Sequence, residues 1–150
     1  MNRTLSLILF LALTLGFGLA FGYLTQPGEW YAGLNKPVFN PPAWLFAPVW
    51  TVLYILIAIA GWRIWQVGAN STAMMLWWVQ MILNFAWTPI FFSAHQVGIA
   101  FAAIIVLLIA IIGFIISAWD KDRVAAWLFV PYAAWVGFAS MVNGAIWTLN

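Results

Sequence analysis

Polar residues in this chain gather in a few short clusters, at positions 2–4, 25–42, 66–72, 93–96 and 120–123, with long apolar runs between them. A helix rising about 1.5 Å per residue needs about 20 apolar residues to cross a hydrocarbon core about 30 Å thick. That ruler predicts five spans, at 5–24, 44–67, 73–94, 97–119 and 124–149. Strands of a membrane barrel would be about ten residues long and alternate in polarity, which these runs do not. The pattern therefore predicts an all-α fold, an integral membrane bundle of five transmembrane helices in a single domain over 1–150.

The first run invites a second reading as a signal peptide, because Arg3 precedes it and Ala20-Phe21-Gly22 loosely resembles a cleavage site. Its apolar stretch exceeds the usual length of about 7–15 residues, so it reads as a span. Gly18 and Gly22 lie four apart, as do Ala12, Gly16 and Ala20. Small residues at that spacing suit close helix packing in lipid. The connections are short except for "TQPGEWYAGLNKPVFNPP", residues 25–42, which mixes Gly and Pro with Trp30, Tyr31 and Phe39. Aromatics in a long loop predict a packed flap, although an interfacial aromatic belt has the same composition.

Composition removes whole classes of function. The chain is 67% hydrophobic and 5% charged, against about half and about a quarter in soluble domains. The net charge is only +2, and the five cations, Arg3, Lys36, Arg63, Lys121 and Arg123, are scattered and offer no stripe for nucleic acid. With no cysteine there is no disulfide, thiolate metal site or thiol nucleophile. Charge placement predicts orientation. Arg3, Arg63, Lys121 and Arg123 fall on one side and Lys36 on the other, which puts the amino terminus in the cytoplasm, with flap and carboxyl terminus outside.

No ionisable residue falls near the middle of a span, which argues against a multidrug-type exporter coupled to protons or other ions. His95 is the only histidine and lies in a turn, so neither a haem ligand nor a Ser-His-Asp triad is expected. What the spans do carry is rings and amides. Trp77, Gln80, Asn84, Trp87 and Phe91 follow spacings of 3, 4, 3 and 4, one helix face that should point into the bundle. Trp50, Tyr54, Gly61 and Trp65 share a face of span two. Trp127, Pro131, Trp135 and Ala139 recur every four residues in span five, with Asn143 one turn on. Trp62, Trp65, Trp119 and Trp147, near span ends, read as an interfacial belt. Pro48, Pro89 and Pro131 each lack a backbone donor and tend to bend a helix, leaving space between neighbours. Pro41 and Pro42 fix the chain at the start of span two, and Trp44, Phe46, Trp50 and Tyr54 should then turn their rings beneath the flap.

The segments "NKPVFNPPAWLFAPVWTVLY", "QMILNFAWTPIFF" and "FVPYAAWVGFASMVN" resemble, in order, the translocator protein family, also called tryptophan-rich sensory proteins (TspO/MBR). The resemblance implies a five-helix bundle, commonly a homodimer, that binds porphyrins such as protoporphyrin IX and other flat hydrophobic ligands under the first loop. It implies a receptor or carrier with a sensory or transport role, or a protein promoting light-dependent porphyrin breakdown. No cofactor or metal is required. On matching positions the pocket would take Trp30 and Tyr31 from the flap, Trp50 and Tyr54 from span two, and Asn84, Trp87 and Phe91 from span three. Trp135 and Ala139 would come from span five. Gln80 and Asn143, read from the helix faces, would orient polar ligand edges. The indoles associated with porphyrin chemistry match Trp50 and Trp135, the residues of interest if the role is photochemical. The flap reads Lys36-Pro37-Val38-Phe39, where relatives usually carry tryptophan at one or both of the last two positions. The sterol pattern needs a tyrosine followed by a basic residue, which "VNGAIWTLN" lacks.

Overall fold

Five helices long and apolar enough to cross a membrane account for most of the computed structural model, which describes residues 2–150. They cover Arg3–Leu24, Ala43–Gly68, Thr72–Ser93, Val97–Ala118 and Arg123–Leu149, within two residues of the expected bounds. No strand occurs among the described residues. Helix α1 (Arg3–Leu24) starts where the Asn2 side chain accepts the Leu5 N–H at 2.7 Å. A short turn, α2 (Glu29–Ala32), lies in the flap. A 3-10 turn at Ala43–Leu45 leads into α3 (Phe46–Gly68). Pro48 sits in the first turn of α3, where a missing N–H costs little, so it does not bend the span.

Ser71 caps α4 (Thr72–Thr88) by accepting from Met74 N. At Pro89 the helix widens into a π turn, Pro89–Ser93, closed by Ala94 N donating to the Pro89 carbonyl at 2.8 Å. His95 then takes φ 57°, the left-handed reversal that starts the chain back into α5 (Val97–Ala118). The last span is two helices, α6 (Arg123–Leu128) and α7 (Val130–Leu149), interrupted at Phe129 just ahead of Pro131. Two of the three expected proline effects are thus present, one as a π turn and one as a helix break, each near a span end.

The closest pairings are α4 with α5, α1 with α3 and α5 with α7, whereas α3 and α7 touch only sparsely. The core is centred on Ile57, Ala60 and Ile64 of α3, Trp77 of α4, Ile111 and Phe114 of α5, and Phe129 and Tyr132. Of the small residues in α1, Gly18 does the close packing: a Cβ there would run into the Tyr54 ring, while Gly16 and Gly22 face open space. Thr14 ties the same helix down by donating to the Tyr54 carbonyl at 3.1 Å. Aliphatic side chains such as Ile82, Ile109 and Ile116 cover the outside, the surface that lipid requires. At one end Arg63 pairs with Asp122 at 2.9 Å, Arg3 donates to Gln66, and Arg123 lies over Trp119. Asp122 does double duty there, its other oxygen capping α6.

Candidate functional site

Two clusters emerge from the predicted ring-and-amide faces. The first is a closed seam at mid-bundle. Tyr54 Oη donates to Asn84 Oδ1 at 3.1 Å, and Asn84 Nδ2 donates to Tyr132 Oη at 2.7 Å. Tyr132 in turn donates to Gln80 Oε1 at 2.8 Å, and Gln80 Nε2 donates to the Trp77 carbonyl at 2.8 Å. Trp77 Nε1 closes onto the Ile57 carbonyl at 2.9 Å. Burying amides and phenols in an apolar interior is tolerated only with such pairing. Gln80 and Tyr132 are 0% exposed and Asn84 5%, so these groups face one another across α3, α4 and α7 and not a cavity. Trp50 belongs here too: half-buried, it tilts on Tyr54 at 5.4 Å and meets Tyr132 edge-on at 6.4 Å.

The second cluster is an aromatic chamber under the flap. Trp30 stacks on the His95 imidazole, ring centres 4.1 Å apart and nearly parallel, and meets Phe91 edge-on. Tyr31 packs against Phe91 and Phe92. The flap is laced to the end of α7: Asn35 N donates to Asn150 Oδ1 at 3.0 Å and Asn150 Nδ2 returns to the Asn35 carbonyl at 2.9 Å. Lys36 lies at the rim over the Tyr31 ring, its ammonium bonded to the Ala32 and Leu34 carbonyls. Beneath, Trp87 Nε1 donates to Asn143 Oδ1 at 3.0 Å, and Asn143 Nδ2 donates to the Val97 carbonyl at 3.0 Å. Phe46 meets Trp135 edge-on at 6.0 Å.

A cavity of about 40 Å³ remains between Tyr31, Phe46, Trp87, Phe91, Trp135, Ala139 and Asn143. Binding pockets for small molecules run to about 300–1,000 Å³, so this chamber is filled by its own rings and a macrocycle needs it opened. No three His, Cys, Asp or Glu side chains approach one another as a metal set would, among the described residues.

Of the eleven predicted residues, the structure brings Tyr31, Trp87, Phe91, Trp135, Ala139 and Asn143 to the cavity wall, with Trp30 backing it. Trp50, Tyr54, Gln80 and Asn84 lie apart, in or on the seam. Two expected ring positions are corrected. Trp44 is 72% exposed and lines the outside of the bundle, because it stands in the 3-10 turn whose three-residue period breaks phase with α3. Trp127 is 57% exposed, because the interruption at Phe129 separates it from the Trp135 face. Trp65 is 39% exposed near the basic end, edge-on to Phe10, as suits its reading as a belt residue. Sequence reasoning missed Tyr132, the hub of the seam. Its signal was its place on the line Tyr132, Val136, Ser140 and Asn143, the inward face of α7. It also missed Phe92 and Phe138 of the chamber.

A family model described as the TspO/MBR family matches residues 9–148. A tryptophan-rich sensory protein of Cereibacter sphaeroides is 34% identical over 150 residues, covering 100% of this chain and 95% of its own. A tryptophan-rich protein TspO of Archaeoglobus fulgidus is 39% identical, covering 92% of this chain and 91% of its own. A human translocator protein is 35% identical over 81% of this chain and 75% of its own length.

Proposed function

The chain belongs to the TspO/MBR family, and we propose that it is a membrane receptor or carrier for flat apolar ligands, tetrapyrroles foremost, held in the chamber under the flap. The relatives' names, tryptophan-rich sensory protein and translocator protein, support a sensory or transport role in the membrane. The observation that carries the ligand reading is the convergence of rings from the flap, α3, the α4 end and α7 on one cavity free of charged side chains. Such a site gains by stacking a macrocycle between indoles and phenols. Asn143 meets polar edges from below, and the Lys36 ammonium at the rim suits an acidic substituent. The excess of Arg3, Arg63, Lys121 and Arg123 over Lys36 supports an orientation with the Arg63–Asp122 end in the cytoplasm and the flap outside.

The test is saturable quenching of intrinsic tryptophan fluorescence by protoporphyrin IX in reconstituted vesicles. Trp135→Ala should weaken binding about tenfold, a loss of about 1.4 kcal/mol. Trp50→Ala should change it far less, since Trp50 leans on the seam. Equal binding by native protein and Trp135→Ala removes the chamber as the site.

A further inference from the structure

The cavity under the flap has a second neighbour, on the lipid side. Where α3 and α7 barely touch, an open apolar groove of about 680 Å³ runs down the outside of the bundle. Pro48, Val49 and Val52 form one wall, Pro131 and Ala134 the other. Its floor is the point of interest: Trp135 and Phe138 line both this groove and the cavity under the flap. These two side chains therefore stand between the groove and the chamber.

One of the two is held in place by no hydrogen bond. Trp62, Trp77 and Trp87 are each pinned by an indole N–H bond, to Arg3 and Ser6, to Ile57, and to Asn143 respectively. Trp135 Nε1 is buried without a partner. No hydrogen bond has to break for this indole to turn, and an unmet buried donor is a cost that a new rotamer or an acceptor on a ligand relieves. The flap offers the opposite case. Lifting it means separating the Trp30–His95 stack and the reciprocal Asn35–Asn150 bonds, then passing an apolar ligand through water.

The geometry points to the α3–α7 groove as a lateral vestibule: a flat apolar ligand dissolved in the bilayer lodges there and reaches the chamber by displacing Trp135. The inference rests on the proposed ligand class, but the route can be tested without a porphyrin. An apolar aryl diazirine is mixed with protein-containing vesicles and photolysed after increasing delays. Insertion is read by mass spectrometry at Trp87 and Asn143 inside the chamber and at Ile109 on the outer surface. Ala134→Trp fills the groove from an exposed position, and Val52→Trp, 56% exposed in the native chain, fills it from the other wall. Each should slow chamber labelling about tenfold, a barrier increase of about 1.4 kcal/mol. Labelling at Ile109 should not change, and unchanged melting shows the fold intact.

Unslowed chamber labelling in both filled proteins overturns the vestibule and leaves the groove to acyl chains. Absence of chamber labelling in the native protein at every delay overturns it as well. With protoporphyrin IX as probe, the filled proteins should quench more slowly, while Asn35→Ala with Asn150→Ala, which loosens the flap, leaves the native rate unchanged. A faster rate on loosening the flap, with no effect of filling the groove, overturns the lateral route. If native protein shows no saturable quenching, the porphyrin reading fails, and the diazirine result still decides the route.

Discussion

Along the seam, every side-chain polar atom of Tyr54, Gln80, Asn84 and Tyr132 has a partner, whereas at the chamber wall Trp135 Nε1 is buried with none. Both regions draw on the same helices and on similar residues, aromatic rings with carboxamides. They differ in closure. The seam spans three helices through side-chain hydrogen bonds that satisfy one another, so it fixes the register of α3, α4 and α7. The chamber is bounded by an indole with an unmet N–H, the long flap and a residual void, so its rings can be rearranged at less cost than the seam's. Carboxamides in a membrane span are thus not a single signal: Gln80 and Asn84 hold helices together, while Asn143 reaches the chamber wall.

The strongest way to break that comparison is to open the seam. Tyr132→Phe removes one oxygen and strands both Gln80 Oε1 and Asn84 Nδ2 in an apolar interior. The expected loss is about 3 kcal/mol of unfolding free energy, measured by SDS titration of the protein in mixed micelles. Porphyrin quenching should survive at temperatures where the variant stays folded. A loss below about 0.5 kcal/mol would show that the seam is ornamental to stability, since typical surface changes do as little.

A somewhat smaller effect is expected at Gly61→Ala. A Cβ at 61 would run into the Trp77 indole, and that indole is held by its bond to the Ile57 carbonyl and by Phe10 edge-on at 5.1 Å. With nowhere for the ring to move, overpacking should cost about 2 kcal/mol in the same titration. Retained stability would mean that Trp77 shifts easily, which would make the seam as adaptable as the chamber.

The membrane spans were legible because bilayer thickness sets helix length and apolar runs report it directly. The inward face of span three was legible because two amides at helical spacing have nowhere else to go. The division of those amides between seam and chamber was not, because it depends on Tyr132 arriving from another helix. A phenol on an apolar span looks like one more belt aromatic until its partners are known. Extrapolation of a helical period failed where the helix itself changed, at Trp44 in the 3-10 turn and at Trp127 beyond the break at Phe129. The size of the hollow was also beyond reach of pattern, since spacing says which rings converge and not how completely they fill the space.

The sharpest test has the smallest expected effect. Trp77→Phe and Trp135→Phe make the same chemical change on the two sides of the comparison. At 77 the indole is fully buried and its N–H bond to α3 is lost, along with packing against Phe10 and Trp78, so stability should fall by about 1–2 kcal/mol. At 135 no hydrogen bond is lost, an unmet donor is removed, and the deleted atoms border existing voids. Stability there should stay within about 0.5 kcal/mol of native, with a gain as acceptable as a small loss. Equal losses at the two positions would mean that Trp135 is as firmly seated as Trp77. The chamber would then be a second rigid core, and a ligand would have to find its way in by moving the flap.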